Sequence, residues 1–322
     1  TRRAFENNKL DLTQVEAISD IVNAETEMQR KQAIEHLSGS FFKSTKKIFY
    51  NLKKILANIE ATIDFVDEEL PENLLSKIKE QIENNICLIE EMLKNSSSGI
   101  SIREGFSVVI LGDPNSGKSS FINYISKKDI AIVTSTPGTT RDLIESFIDL
   151  KGYPVKFIDT AGIRKSSNKI EKIGIKKAYK ASESADINLV FFVKKSEKEK
   201  YLSIKNTIFI KSKQDITKKS FKSKDHLNIS SKTGYGIERL LLIIKKKISK
   251  KTPYEKSYIS RERHLDCLKK TLKNLKNSQK PKNIDIYAED IRLAIKDLSR
   301  LFGNVDIEDI LDIIFNDFCI GK

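Results

Sequence analysis

The chain has 322 residues, enough for about two domains that each bury a core. Its three cysteines (Cys87, Cys267, Cys319) are scattered and odd in number, which excludes a disulfide framework and favours a reduced, cytoplasmic location. No apolar run approaches the roughly 20 residues of a membrane span, and the formal net charge of +14 favours a polyanionic partner unless the lysines are simply solvated.

Residues 1–100 show helical periodicity. Thr13 and Glu16 have the spacing of a capping box, which predicts the start of a helix. Apolar residues recur at helical spacing in two longer stretches. They are Phe49, Leu52, Leu56, Ile59 and Ile63, then Leu75, Ile78, Ile82, Ile86 and Ile89. The Ser-Ser-Ser-Gly run at 96–99 predicts a linker that ends this first part of a helical domain.

A phosphate-binding loop is predicted next, within an α/β domain at 101–250. The run from Gly112 to Ser119 fits the pattern Gly-x-x-x-x-Gly-Lys-Ser and lies between a strand-like and a helix-like stretch. In such a loop the backbone N–H groups and the helix N-terminus face the phosphates. Lys118 would reach the β- and γ-phosphate oxygens, and Ser119 would ligate Mg²⁺. The other loop residues predicted to bind nucleotide are Asn115, Ser116, Gly117 and Ser120.

Further motifs, in this order, indicate that the nucleotide is GTP. The run Gly-Thr-Thr-Arg-Asp at 138–142 can supply a threonine that senses the γ-phosphate through Mg²⁺. Asp159 closes a strand and would hold a Mg²⁺-bound water, and the following Thr160, Ala161 and Gly162 bring an N–H to the γ-phosphate. Ser212, Lys213 and Asp215 follow another apolar run, where a carboxylate can accept hydrogen bonds from the N1–H and 2-amino groups of guanine. The last motif, Ser230-Ser231-Lys232, offers a backbone N–H to the base carbonyl.

Two positions depart from the usual GTPase pattern. Ser212 replaces the asparagine that normally ties the guanine-recognition loop to the phosphate loop, so we expect a loss of reach and weaker nucleotide binding. Ile163 follows Gly162, where Ras-type GTPases place a water-orienting glutamine. Glu171 is the nearest candidate to orient water, although by residue type alone it reads as a solvated loop charge.

Helical periodicity returns in residues 251–322. Apolar residues recur at helical spacing in three runs: Leu265, Leu268, Leu272 and Leu275; Ile291, Leu298 and Leu301; Ile307, Ile310, Leu311 and Ile314. A compact domain can be inserted into a host without breaking it. We therefore predict one all-α helical bundle domain, made of both helical parts, that carries an inserted α/β Ras-like P-loop GTPase domain.

Together these motifs resemble the MnmE (TrmE) family of tRNA-modification GTPases. The resemblance rests on the phosphate loop, Gly-Thr-Thr-Arg-Asp at 138–142, Asp-Thr-Ala-Gly-Ile-Arg at 159–164 and Ile-Glu-Lys-Ile-Gly at 170–174. It extends to Lys-Leu-Asp-Leu at 9–12 and to the terminal Phe-Cys-Ile-Gly-Lys at 318–322. The family begins with a folate-binding dimerisation domain that this sequence lacks, so we expect a fragment of a longer protein.

The resemblance implies a catalytic role for several residues. It implies K⁺ in place of an arginine finger, with Asn115 as a ligand, although Asn115 after Pro114 is also typical of a plain turn. Further K⁺ contacts would come from Thr134, Thr136 and Thr139, and Mg²⁺ would be held by Ser119 and Thr140. Glu171 would orient the attacking water through a bridging water.

The resemblance also implies substrates and partners. It implies a GTP-driven homodimerisation cycle and action with the flavoprotein MnmG (GidA) at C5 of the tRNA wobble uridine. A reduced folate, 5,10-methylene- or 5-formyl-tetrahydrofolate, would supply carbon, with Lys9 and Lys322 as candidate contacts. Cys319 in the terminal motif is either reactive or a buried small hydrophobe.

Two other function classes remain open from the residues. A ribosome-assembly GTPase of the Era or EngA type would share several motifs, but it would need a KH-type module or a second G domain, and neither pattern is present. A non-catalytic nucleotide-gated scaffold would share the motifs without K⁺-stimulated turnover.

Overall fold

The computed structural model describes residues 1–7, 9–64, 74–94, 96–127, 144–159, 179–216, 225–252, 259–279 and 284–303. The chain divides into two compact units. A helical unit comprises 1–24, 29–103 and 254–322, and a nucleotide-binding unit comprises 25–28 and 104–253. The chain leaves the helical unit and later returns to it, so the fold class predicted from the sequence, an α/β domain inserted into an all-α domain, is confirmed.

The helices, in chain order, are α1 Arg2–Glu6, α2 Leu12–Val22, α3 Glu27–Leu37, α4 Ser40–Asp64, α5 Leu74–Lys94, α6 Ser96–Glu104, α7 Lys118–Lys127, α8 Lys195–Glu199, α9 Ile237–Lys251, α10 Glu262–Ser278 and α11 Ile284–Ser299. A 3₁₀ turn, Arg300–Phe302, follows α11. The strands are β1 Phe106–Leu111, β2 Ile144–Leu150, β3 Tyr153–Asp159, β4 Ile187–Phe192, β5 Thr207–Lys211 and β6 Leu227–Asn228.

One hydrophobic core joins both sequence parts of the helical unit. Because apolar residues three or four apart lie on one helix face, each long helix presents a single apolar stripe to this core. The stripes predicted from the sequence supply many of its fully buried members: Leu52 and Ile59 of α4, Ile78, Ile82 and Ile89 of α5, Leu268 and Leu275 of α10, and Ile291 and Leu298 of α11.

Two local predictions in the helical unit are wrong. Helix α2 is capped by Asp11, whose carboxylate accepts a hydrogen bond from the Gln14 backbone N–H at 2.9 Å while the Gln14 side chain accepts one from Asp11 N–H. Glu16 is therefore free for another role. The predicted linker at 96–99 is the start of α6, because its small residues pack closely: Ser98 and Gly99 are buried, and the Gly99 carbonyl accepts a hydrogen bond from Gln32 at 3.0 Å.

Glu16 is the centre of a buried charged network. Its carboxylate accepts hydrogen bonds from Arg263 at 2.9 and 3.1 Å and from His264 Nε2 at 2.8 Å. Burial alone would raise the pKa of Glu16, but His264, Arg263 and Arg261 together hold that pKa well below its usual range. Burial lowers the pKa of His264, which favours a neutral imidazole beside the ionised carboxylate of Glu16.

Asp20, one turn further along α2, extends this network. It accepts hydrogen bonds from Arg261 at 2.7 Å and from Arg103 at 3.0 Å. Arg103 immediately precedes the nucleotide-binding unit in the chain, and Arg261 follows it. One carboxylate thus joins the two segments between which the nucleotide-binding unit is inserted.

The nucleotide-binding unit contains a six-stranded sheet in the order β2-β3-β1-β4-β5-β6. Only β2 runs antiparallel to its neighbour β3; the other pairs are parallel. Nearly every residue of β1 and β4 is buried, as expected for parallel strands covered on both faces. Strand β1 lies between β3 and β4, so the loop that follows it opens at the middle of the sheet.

No helix among the described residues is long and apolar enough to cross a membrane. Of the cysteines, Cys87 is exposed and Cys267 is buried, and both are free thiols. Cys319 lies outside the described residues.

Candidate functional site

The phosphate loop has the backbone conformation that its glycines predict. Gly112 has φ +139°, and a Cβ there would lie 2.2 Å from the Phe191 carbonyl oxygen on β4, so only glycine fits. Gly117 has φ +96°, and Asn115 adopts the left-handed region at φ 59°, which asparagine tolerates better than most residues. The loop therefore leaves β1 in a tight curl that ends at the first residue of α7.

Lys118 is fixed inside this curl. The residue is only 4% exposed. The ammonium Nζ donates hydrogen bonds to the carbonyls of Gly112 and Asp113, both at 2.8 Å, and lies 3.4 Å from the Ser116 hydroxyl. A positive charge therefore lies within the loop, beside the positive N-terminal end of α7, as an anion-binding site requires.

Asp113 anchors the outside of the loop. Its carboxylate accepts hydrogen bonds from Lys200 Nζ at 2.5 Å and from the Tyr201 hydroxyl at 3.2 Å. The bond with Asp113 raises the pKa of Lys200. Sequence reasoning missed these contacts, because the partners are 87 and 88 positions away and no motif links them.

A cavity of about 470 Å³ opens beside the loop. It is lined by residues of the phosphate loop, the first turn of α7 and the loop after β5: Pro114, Asn115, Gly117, Lys118, Ser119, Ser120 and Lys213. The cavity thus brings together two motifs that are almost 100 residues apart in the sequence. Such a concave, polar-rimmed site is the kind that holds a nucleotide.

Ser212 ties the two loops together. Its buried hydroxyl donates a hydrogen bond to the Ser116 carbonyl at 2.6 Å and lies 3.4 Å from the Phe192 carbonyl. A Cβ on Gly117 would lie 3.4 Å from the Ser212 Cβ, so the loops approach each other closely. The expected loss of reach is therefore wrong: because the backbones are so near, a serine side chain is long enough.

Asp215 is positioned by the loop after β6. Its carboxylate accepts a hydrogen bond from the buried Ser230 hydroxyl at 2.7 Å. This bond, a backbone hydrogen bond, and the charges of Lys232 and Lys213 lower the pKa of Asp215, which keeps it ionised near neutral pH. An ionised carboxylate accepts hydrogen bonds but donates none, which suits the paired N–H donors of guanine.

The loop after β6 also packs against α7, the helix that follows the phosphate loop. Gly234 has φ +82°, and a Cβ there would lie 2.2 Å from the Tyr124 hydroxyl of α7. The Gly234 N–H donates to the Ser230 carbonyl at 2.9 Å. Ser231 and the exposed Lys232 lie in the same turn, so this motif reaches the same side of the sheet as Asp215.

Asp159 ends β3 beside the phosphate loop. It is 3% exposed and lies in register with Ile110 of β1, two residues before Gly112. In the helical unit, Lys9 is exposed, and its backbone N–H donates to the Ala4 carbonyl at 2.8 Å. The other predicted site residues lie outside the described residues: Thr134, Thr136, Thr139, Thr140, Thr160, Ala161, Gly162, Glu171, Cys319 and Lys322.

The fold and the cavity define the class of protein. A phosphate loop after the central strand, with a guanine-type recognition loop tied to it, is the arrangement of a Ras-like P-loop GTPase domain. The MnmE helical domain family matches residues 12–319. The chain is also 39% identical over 329 aligned residues to the tRNA modification GTPase MnmE of Wolbachia sp. subsp. Brugia malayi, covering 99% of this chain and 74% of that protein.

A second relative agrees. The tRNA modification GTPase MnmE of Pelagibacter ubique is 42% identical, covering 100% of this chain and 75% of that protein. The chain therefore belongs to the MnmE family, and the resemblance predicted from the sequence is confirmed. Among solved structures, the G domain of the T. maritima FeoB iron transporter aligns with 45% of this chain and 98% of its own at 26% identity, but the TM-score of 0.34 is too low to support a conclusion.

Proposed function

We propose that this chain is a K⁺-activated GTP hydrolase that takes part in tRNA modification. One observation carries the proposal: a single cavity is lined by the phosphate loop and by Lys213 of the guanine-recognition loop. The relatives named tRNA modification GTPase MnmE support both the reaction and its setting.

GTP fits the donor set of this cavity. The phosphates would meet the loop N–H groups and Lys118, whose ammonium already lies 2.8 Å from two loop carbonyls. The guanine would meet the carboxylate of Asp215, and Ser119 with Thr140 would hold Mg²⁺. A site built to hydrogen-bond one base discriminates strongly against the other, so guanine should be preferred over adenine.

Asn115 is the proposed K⁺ ligand. Asn115 lines the cavity beside Lys118 and Ser119, the residues proposed to meet the phosphates and Mg²⁺. K⁺ held there, with help from Thr134, Thr136 and Thr139, would supply the charge neutralisation that is worth about 10³–10⁵ in rate when an arginine finger provides it. The competing explanation is that Asn115 only makes the turn, for which its φ of 59° is suited.

Glu171 is the proposed residue for orienting the attacking water. Ile163 cannot do so, because an aliphatic side chain neither donates nor accepts a hydrogen bond. Replacing Glu171 by Ala should abolish turnover while GDP binding stays nearly unchanged. Turnover equal to that of the wild type would remove Glu171 from the mechanism.

The wider proposal concerns the reaction that GTP hydrolysis serves. We propose that the G domains pair and separate during the GTPase cycle, and that the chain acts with MnmG on C5 of the tRNA wobble uridine. A reduced folate would provide the carbon, with Lys9 and Lys322 as candidate contacts. Hydrolysis would drive an order–disorder switch of the kind used by other GTPases rather than make the carbon bond.

The deciding experiment measures GTP turnover against protein concentration in KCl and in NaCl of equal ionic strength. Hydrolysis that is fast only in K⁺ and rises with concentration would support ion-dependent pairing of G domains. Equal, slow rates in both salts would contradict a K⁺ site at Asn115.

Asn115→Gly separates the two explanations for Asn115. Glycine tolerates φ 59° but has no amide oxygen, so a turn role would survive the change and a ligand role would not. Asn206→Gly is the matched control, because Asn206 has φ 54° and lies outside the cavity lining. We expect K⁺ stimulation to be lost in the first variant and kept in the second.

A further inference from the structure

One face of helix α4 carries lysines and an exposed aromatic ring. The opposite face of the helix is buried in the core of the helical unit, with Leu52, Ile55 and Ile59 fully covered. The exposed residues, called here the lysine–tyrosine face, are Lys43, Lys46, Lys47, Tyr50, Lys53 and Lys54. At 1.5 Å per residue, they extend over roughly 16 Å of helix.

Charge is segregated on this face. No aspartate or glutamate occurs between Ser40 and Ile59, and the first acidic residue, Glu60, is paired with Arg292 at 3.1 Å. None of the five lysines forms an ion pair with any residue that the structure describes. Five unpaired positive charges therefore lie together.

The neighbouring helix α5, by contrast, exposes charges of both signs. Lys77 and Lys79 lie beside Glu80 and Glu83 on its surface. The general abundance of lysine, 58 Lys and Arg against 44 Asp and Glu, thus does not by itself produce an all-positive face. Segregated positive charge is the usual electrostatic signature of a surface that meets a polyanion.

Tyr50 adds an exposed aromatic ring to this positively charged face. It is 57% exposed, and Lys46 Nζ lies 5.8 Å from its ring centroid. The partly buried Phe42 and Phe49 hold their own lysines close, with Lys46 at 4.9 Å and Lys53 at 5.6 Å from the ring centroids. An exposed ring among lysines is the arrangement on which an unpaired base stacks while phosphates meet the cations.

We propose that the lysine–tyrosine face binds RNA, with lysines on the phosphates and an unpaired base stacked on Tyr50. This inference rests on the proposed role in tRNA modification. An anionic membrane surface is less suited to the helix, because a membrane-bound helix inserts its apolar face and the apolar face of α4 is already buried in the core.

The test measures binding of an unmodified tRNA transcript to the full chain by fluorescence anisotropy. The variant Lys46→Gln/Lys47→Gln/Lys53→Gln is compared with the control Lys269→Gln/Lys270→Gln/Lys273→Gln. The control removes three exposed lysines from helix α10, so the net charge changes by the same amount. We expect a loss of at least tenfold in affinity for the first and less than threefold for the second.

The salt dependence gives a second readout. Each phosphate contact contributes about 0.7 to the slope of log affinity against log salt for a single strand, so the α4 variant should lower that slope by about 2. Tyr50→Ala should weaken binding by about 5- to 150-fold, as loss of one stacked base does, and Tyr50→Phe should restore it because the ring is kept.

Each outcome decides the proposal. If both triple variants lost tRNA affinity equally, net charge alone would explain the loss and the proposal would be overturned. Unchanged tRNA affinity in the α4 variant would overturn it as well. Loss of binding to vesicles rich in phosphatidylserine without loss of tRNA binding would also overturn it, in favour of a membrane partner. GTP turnover is measured in parallel on the same variants. Unchanged K⁺-stimulated turnover in a variant that no longer binds tRNA shows that the two proposals, RNA binding by this face and K⁺-activated GTP hydrolysis, are tested separately.

Discussion

Ser212→Ala tests whether the hydroxyl that joins the two nucleotide loops contributes to binding. In the wild type, the Ser212 hydroxyl donates a 2.6 Å hydrogen bond to the buried Ser116 carbonyl. Alanine has no donor, so the carbonyl would lose this partner. Leaving a buried polar group unsatisfied costs about 1–3 kcal/mol. If ordering the loops around the nucleotide requires that bond, GDP affinity should fall by about 5- to 150-fold.

Guanine preference should survive the change. Asp215 is positioned by the Ser230 hydroxyl at 2.7 Å, and Ser212→Ala leaves that contact intact. The variant should thus lose affinity for GDP and ADP by a similar factor. Selective loss of guanine binding would show instead that Ser212 positions the base-recognition carboxylate.

The assay is calorimetric titration with GDP and ADP, with thermal unfolding measured on the same samples. Ser231→Ala is the matched control, since Ser231 is predicted to act through its backbone N–H and alanine keeps that group. Ser212→Asn should bind GDP within a few-fold of wild type, because it retains a side-chain donor. A Ser212→Ala affinity within twofold of wild type would refute the reasoning that this bond stabilises the bound state.

Three further predictions concern other residues. Glu16→Gln should destabilise the helical unit by about 3–5 kcal/mol, because it leaves the partly buried Arg263 without its counter-charge, and urea unfolding followed by circular dichroism would detect it. Since the folded-state pKa values of Glu16 and His264 are both lowered, wild-type stability should fall as pH drops below about 6.5 and again below about 4.5; a flat profile from pH 7 to 4 would contradict this. Asp215→Asn should reduce the ratio of GTP affinity to ATP affinity. If the wild-type protein bound GTP and ATP with affinities within about threefold of each other, Asp215 would not be the residue that recognises guanine. Gly112→Ala should abolish nucleotide binding and lower the melting temperature, because the alanine Cβ would lie 2.2 Å from the Phe191 carbonyl oxygen. If the variant bound GDP like the wild type, the predicted clash would be wrong.

Contiguous features of the chain were predicted well from the sequence. The phosphate loop needs a strand, a fixed pattern of eight residues and a helix in immediate succession, so all of its determinants lie in one stretch. The helical stripes of α4, α5 and α10 were predicted for the same reason, since a period of 3.6 residues is visible without knowing the partner helix.

Features that depend on distant backbones were not predicted. The reach of Ser212 could not be judged from its side-chain length, because the relevant quantity is how closely the loop after β5 approaches Gly117. The sequence predicts a linker where helix α6 begins at Ser96, because small polar residues favour loops in isolation. In the folded chain those small residues permit close packing, and Gln32 donates to the Gly99 carbonyl.

Glu16 shows why one misassigned residue has consequences for the whole helical unit. Its spacing from Thr13 suggested a cap, but its carboxylate pairs with the charge of Arg263 and hydrogen-bonds with His264, which lie 247 and 248 positions later. A buried carboxylate without those partners would have to be protonated or solvated, at a cost of several kcal/mol. The first helical part therefore does not contain the counter-charges that its own folded form requires. The two parts must fold as one unit, even though residues 104–253 of the nucleotide-binding unit are translated between them.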